Sequence, residues 1–504
     1  MRSGVSIREI ATPVCELARN DREFDKFQFP RMLNHPNIHN NKEVSMFRKY
    51  IGDRAFYRRI LYVVLPIIIQ NGISNFVSLL DNIMVGRIGT LPMSGVSIVN
   101  QLMFVFNLCI FGASSGAGIF TAQFHGSGDD AGIRYTFRFK VLICTALSAL
   151  GITLFLTAGD NLIGLYLTGE GNPEEAAQAL AYGREYMLVM LVGLLPFALS
   201  NAYSSTLRET QETFVPMVAG IAAVFINLGL NYVLIFGHLG LPAMGVRGAA
   251  LATVLSRFAE LGIVAGWTHT NPGKKPFIKG AYRSAYIPGK LLKTISVKGL
   301  PLLVNEFLWS CGVAFLNQCY STCSLDVVPA MNIAATLSNL GSVVFLSMGN
   351  AVGILMGQML GARDSVDAVQ DANRKMIFTS VVAGSAFGAL MACFAGVFPE
   401  IYNTTPSVRV LAEKMILISS FMIIFHSYAN AAYFTLRSGG KTFITFLFDS
   451  GFLWACSAPL AFCLSRYANL PILPLYMICQ MPDMLKCLIG AYMLKKGSWI
   501  QNLT

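Results

Sequence analysis

Charge is what this sequence has least of. Asp, Glu, Lys and Arg make up only 13% of its 504 residues, against roughly a quarter in ordinary soluble domains, so a solvated globular surface cannot be built from it. No G-x-x-x-x-G-K-[ST] phosphate loop, no H-E-x-x-H pair and no Ser, His and acid set at a recognisable spacing occurs, and nucleotide-driven pumping and membrane proteolysis lose their usual residues. The 11 cysteines show no paired spacing and fall mostly inside apolar runs, which argues against a disulfide framework or a metal site and leaves thiols that pack like small apolar side chains. Residues 1–50 have no apolar core of signal-peptide length; polar and mixed in charge, they read as a disordered tail or an over-long start. The net charge is +11, but the basic residues flank apolar runs and have no stacking aromatics in a soluble module, so nucleic acid is not an expected partner.

What is abundant is apolar length. Hydrophobic residues make up 54% of the chain and the mean hydropathy is +0.55. Runs of the ~20 residues needed to cross ~30 Å of hydrocarbon read at about 58–84, 95–122, 137–158, 183–205, 214–236 and 247–267, then at about 295–320, 329–357, 375–397, 411–435, 443–464 and 471–494. These are two sets of six. Glycine and proline inside the runs suit membrane helices better than soluble ones.

The two sets are copies. At a constant offset of 235, Leu65-Pro66 returns as Leu300-Pro301, Asn82 as Asn317, Gly118 as Gly353, Gln123 as Gln358, Gly126 as Gly361, Asp129 as Asp364 and Lys140 as Lys375. At an offset of 229, Asn201, Thr206-Leu207-Arg208 and Thr213-Phe214 return as Asn430, Thr435-Leu436-Arg437 and Thr442-Phe443. A duplication gives both halves one fold. Six is even, so the copies enter the membrane in the same sense and are related by a pseudo-two-fold axis along its normal. The expected fold is an all-α integral membrane protein of twelve transmembrane helices in two parallel six-helix repeats. Its parts are a tail at 1–50, an amino-terminal lobe at 51–268, a basic cytoplasmic linker at 269–294 and a carboxy-terminal lobe at 295–504.

Orientation follows from lysine and arginine. Residues 269–298 carry Lys274, Lys275, Lys279, Arg283, Lys290, Lys293 and Lys298 without an acid, whereas residues 159–178 carry Asp160, Glu170, Glu174 and Glu175 without a base. The first connection is expected in the cytoplasm, and both termini with it.

A duplicated membrane bundle without an engine is most often a secondary transporter, binding near the midplane between its halves. Its chemistry then rests on polar side chains inside the spans, which are costly there. In the first span Asn71, Asn75, Ser78 and Asn82 recur at spacings of 3 and 4, and Gln70, Ser74 and Asp81 form the adjoining stripe. Asp81 is the one acid on it, either an embedded carboxylate able to bind a proton or sodium ion or a helix-end residue in solvent. Asn227 and Asn231 lie one turn apart in the fifth span, as co-ligands or as interhelical hydrogen-bonding glue.

In the seventh span Glu306 shares a face with Ser310 and Asn317; the alternative is a helix-end acid neutralised by Lys298. His426, on the side of Asn430 in the tenth span, reads either as a proton carrier or as neutral packing. Asp449 sits about two turns into the eleventh. Arg257 with Glu260, and Asp483 with Lys486, are i,i+3 pairs at corresponding places with reversed signs, and read as internal salt bridges.

Residues 58–504 resemble the multidrug and toxic compound extrusion (MATE) family. The resemblance rests on Pro66, on Asp81-Asn82-Ile83-Met84-Val85-Gly86-Arg87-Ile88-Gly89, on Gln123-Phe124-His125-Gly126, on Leu207-Arg208 before Thr213 with its echo Leu436-Arg437 before Lys441-Thr442, and on Gly245-Val246-Arg247-Gly248-Ala249-Ala250-Leu251-Ala252-Thr253. It implies a V-shaped pair of six-helix lobes that export organic, often cationic, amphipathic compounds in exchange for inward sodium or protons. It also implies an amino-terminal cation site of Asp81, Asn227, Asn231 and Thr253, with Asn231 an amide where the family pattern has a carboxylate. Sodium is then the ion that Asp81 and Asn227 would hold, less tightly for want of that charge, which favours a proton on Asp81. Glu306 is similar to a seventh-span acid of the family but one turn early, and His426 stands where some members have an acid.

The reading is an antiporter in the plasma membrane, monomeric, with membrane lipid and small organic substrates as partners. It is not an enzyme, and it has no cofactor beyond the coupling ion and no structural metal. Asn71, Asn75, His426, Asn430 and Asp449 are expected along the substrate or proton path. The rivals are a lipid-linked oligosaccharide flippase, which would want several mid-span Arg or Lys, and an integral-membrane transferase, which would want catalytic acids or histidines in a large outer loop.

Overall fold

A computed structural model describes residues 49–167, 173–323, 326–402, 404–468 and 470–504. The tail expected at 1–50 lies, up to residue 48, outside the described residues, as do the side chains of Ser78 and Asn82. Among the described residues the chain is helical with no strand. The first lobe comprises α1 (Arg54–Gly86), α2 (Thr90–Ser127), α3 (Asp130–Leu167), α4 (Pro173–Glu209), α5 (Phe214–Phe236) and α6 (Gly245–Thr270). The second comprises α7 (Gly289–Ser321), α8 (Val327–Gly361), α9 (Val366–Phe394), α10 (Pro406–Ser438), α11 (Thr442–Tyr467) and α12 (Ile472–Lys495).

Eleven of these described helices are long and apolar enough to cross a membrane by length and composition. The other, α10, has 33 residues, about 50 Å at 1.5 Å per residue, and lies packed between α8 and α9. Six and six is the expected architecture. The ends are set locally: Asp53 caps α1 by accepting from the Phe56 amide at 2.7 Å, and Gly128 ends α2 in the left-handed conformation, φ 76, which glycine adopts at no steric cost.

Burial locates where the lobes meet. In α2, Val99, Met103, Phe106 and Ile110 are buried at helical spacing, one face only, but from Gly112 to Gln123 every residue is buried. Its copy α8 is likewise buried nearly all round from Ser347 to Gly361. A helix covered on all sides has neighbours on all sides, and for these halves they come from both lobes. Ile60, Val63, Val64 and Ile67 of α1 join a core with Met348, Val352 and Leu355 of α8, while Ala117 and Phe120 of α2 join Ile295 and Leu302 of α7. These halves lie at the end of the bundle that carries the linker, so the lobes close there.

The linker is strapped to the first lobe. Arg138 donates to the carbonyls of Gly280 (2.8 Å), Ala281 (2.7 Å) and Tyr286 (2.8 Å), Arg134 donates to Phe277 O, and Phe277 and Ile278 are buried. Burial lowers the Lys275 ammonium below its usual range; it donates to Thr210 O at 3.0 Å.

Candidate functional site

In the first lobe α1, α5 and α6 converge on one carboxylate. Asp81 is half-buried and accepts from Asn231 Nδ2 at 2.8 Å, so it is not a solvated helix end. Asn227 and Asn231 are both buried, being four apart and facing inward on α5. Asn231 Nδ2 also donates to Asn227 Oδ1 at 3.1 Å, and Asn227 Nδ2 donates to Thr253 Oγ1 at 3.1 Å. With the Asn227 amide turned end for end, it donates to both Asp81 oxygens, at 2.8 and 3.0 Å, and accepts from Thr253. Asn231 Oδ1 is buried with no hydrogen-bond partner. A carboxylate, two amides, one of them with an orphaned oxygen, and a hydroxyl form a hard-oxygen set suited to a proton or an alkali cation.

Arg257 and Glu260 lie deeper on α6 and pair at 3.0 Å as expected, with the guanidinium 5.2 Å from the centre of the Phe197 ring. Thr253 and Arg257, with Met103, Asn107, Met190 and Phe197, line a cavity of about 40 Å³, large enough for water. Tyr186, which donates to Asn100 Oδ1 at 3.1 Å, was not singled out from the sequence; a lone tyrosine in an apolar run carries no periodic signal.

The second lobe differs from expectation in one pairing. Lys486 does not pair with Asp483 but donates to Asp449 Oδ1 at 2.7 Å, and Asp483 meets His426 Nε2 at 2.9 Å. The i,i+3 spacing allowed the first pair, but α11 outcompetes it. Residues 447–451 and 453–457 of α11 are wound as π-helix, whose wide turns present Asp449 and Ser450 to α7 and α12 and are often found at functional positions. There Asn305 Nδ2 donates to Asp449 Oδ2 at 3.1 Å, and Asn305 Oδ1 accepts from Ser450 N at 3.2 Å and from Ser450 Oγ at 2.8 Å. Asn305, a single amide beside an acid in an apolar run, carries no periodic signal of its own.

Glu306 is half-buried and lies at the seam between lobes, where a Cβ on Gly112 of α2 would come 3.1 Å from its Cγ. Lys298 is not its neutraliser; it donates to Gly440 O at 2.8 Å. Asn71, the repeat counterpart of Glu306, crosses the opposite seam to donate to Ser347 Oγ at 3.4 Å. Asn75 is exposed, and Asn430 Oδ1 is buried without a partner.

Lys486→Met is expected to cost about 2–3 kcal/mol of stability, under the roughly 3–5 of a wholly buried broken pair because Asp449 keeps 22% exposure. The double variant with Asp449→Asn should recover most of it. A thermal-unfolding double-mutant cycle in detergent measures the coupling, and additive single effects would refute it.

Two duplicated helical lobes closed at one end, each with polar side chains buried in its spans, define a class, the two-lobed multi-span membrane transporters. The sequence model of the MatE family matches residues 66–233 and 301–462, one segment per lobe, and the chain belongs to that family. It is 25% identical over 437 residues to the probable multidrug resistance protein NorM of Thermotoga maritima, covering 85% of this chain and 90% of that one. It is 24% identical over 427 residues to the probable multidrug resistance protein YoeA of Bacillus subtilis, covering 83% and 89%. A solved structure described as the outward-facing conformation of a multidrug resistance MATE family transporter of the MOP superfamily superposes with a TM-score of 0.76 at 20% identity, covering 91% of this chain and 99% of that one. Members of this family are transporters and not enzymes, which sets the transferase reading aside.

Proposed function

We propose that this protein is a plasma-membrane exporter of small organic, cationic or amphipathic compounds, driven by inward movement of a proton or sodium ion through Asp81. The observation that carries the reading is the Asp81, Asn227, Asn231 and Thr253 cluster with its orphaned Asn231 oxygen. The relatives described as multidrug resistance proteins support the substrate class and leave the flippase reading without support. Lys274, Lys279 and Arg283 on the linker support a cytoplasmic linker end. Substrate binds between the lobes; the ion entering from outside discharges Asp81; the two ligands favour opposite conformations, since affinity alone would drive nothing. In the second lobe Glu306 is the other carboxylate that an entering ion can discharge, and Asp449 and His426 lie on the substrate or proton path.

The test is ethidium efflux from vesicles with sodium and pH gradients imposed one at a time. One gradient should drive uphill movement and the other should not. Dye movement indifferent to both would overturn the reading.

A further inference from the structure

Two buried glutamines lock the linker end, and they are repeat copies of each other. Gln123 of α2 donates to Ser438 O at the end of α10, at 2.9 Å, and Gln358 of α8 donates to Glu209 O at the end of α4, at 2.9 Å. Positions 209 and 438 differ by the same 229 that relates the copies. Each glutamine therefore crosses to the opposite lobe and takes a terminal helix carbonyl that has no partner in its own helix. The backbones of α2 and α8 touch here, for a Cβ on Gly126 would overlap the Gln358 carbonyl and one on Gly361 the Gln123 carbonyl.

The second half of each clasp is where the copies diverge. Gln358 Oε1 accepts from the side chain of Gln211, a residue held at φ 63 just beyond α4. Its copy is Gly440, at φ 73, with no side chain to give. The missing donor is supplied by the segment after α12: Leu503 N donates to Gln123 Oε1 at 2.7 Å, and Gln123 Nε2 also reaches Gln501 O at 3.3 Å. That segment turns at Gly497, φ 66, buries Trp499 completely, and runs over Gly439 and Gly440 so closely that a Cβ on the latter would come 2.6 Å from Leu503 Cδ1. Asn502 Nδ2 holds Leu360 O at 2.9 Å, and Leu503 packs against the Ala117, Phe120 and Leu302 cluster of both lobes.

We propose that Gln123 and Gln358 are the positioning residues of the gate at the linker end, and that residues 497–504 form a strap that completes the Gln123 clasp in place of a side chain. The strap belongs to the second lobe by sequence and bonds to the first, so that end cannot open until Leu503 leaves Gln123. The cycle in which it opens rests on the function proposed above; the closed clasp does not.

Hydrogen–deuterium exchange on the full chain in nanodiscs, without substrate or gradient, tests this independently of transport. Leu503→Pro removes the amide hydrogen together with the leucine side chain and fixes φ, and should speed exchange by at least the roughly three- to tenfold that one neutral hydrogen bond is worth in peptides covering 120–127 and 435–441, with peptides at 90–100 unchanged. Leu503→Ala, which keeps the amide, should do so less. Gln211→Leu should loosen the 356–362 region by less, since Arg59 Nη2 still reaches Gln358 Oε1 at 3.4 Å. A chain ended after Ile500 is the second variant and should equal or exceed Leu503→Pro, because it also loses the bonds of Gln501 and Asn502. Unchanged exchange at 120–127 in both strap variants, or a rise spread equally to 90–100, would overturn the strap. Loss of ion-driven efflux in the wild type would overturn the function and not the strap.

Discussion

Asp81→Asn is expected to reduce ion-driven dye efflux by about 5–150-fold, the range set by a coupling free energy of roughly 1–3 kcal/mol between two sites. The substitution suits the question because an asparagine oxygen can still accept from Asn231 Nδ2, now at 2.8 Å from Asp81 Oδ1, and the volume is conserved. What is lost is the charge that an entering ion must neutralise. Folding should change by less than about 1 kcal/mol, so a thermal-unfolding midpoint near wild type separates loss of coupling from loss of structure. Glu306→Gln, made in parallel, asks the same of the second lobe. If both variants moved dye at the wild-type rate under the driving gradient, ion coupling through these carboxylates would be excluded.

A second large effect is expected from Gly116→Val. Gly116 of α2 lies backbone to backbone against Gly299 of α7, so that a Cβ on Gly116 would overlap the Gly299 Cα. Glycine within a helix costs about 1 kcal/mol against alanine, and a substitution to a better helix former would stabilise an isolated α2. The seam reverses the sign. Two helix backbones in contact cannot yield as a flexible side chain would, and overpacking of this kind costs about 1–3 kcal/mol. The repeat counterparts on the other seam are Val64 and Ala351, so the α2–α7 seam is the tighter one. The expected result is a lowered unfolding temperature and lost efflux, with Ala351→Val milder in both assays. An equal effect at the two seams would show that the close glycine contact is not what closes the lobes.

Much of this was legible in the sequence because it is periodic or repeated. The offsets of 235 and 229 carry the duplication, and helical spacing places Asp81 on a stripe with Gln70 and Ser74; the grouping of Asn227, Asn231 and Thr253 beside it is what the family resemblance implies, and these side chains do meet there. The Arg257–Glu260 pair was read correctly from its spacing, and its copy was not. Asp483 and Lys486 have the same spacing, yet each bonds to another helix. Spacing reports which side chains share a face. It does not report what that face meets.

The sequence alone therefore determined the membrane class, the number and order of helices and their pairing into two copies, since all of these follow from hydrophobic length and from internal repetition. The tertiary structure decided the partners. The π-turns of α11 that bring Asp449 to Asn305 and Lys486, the seam on which Glu306 lies, and the strap amide that stands in for Gln211 depend on how far each helix is rotated and how deeply it is set against its neighbours. Those two quantities are fixed by packing among segments hundreds of residues apart, and no local pattern records them.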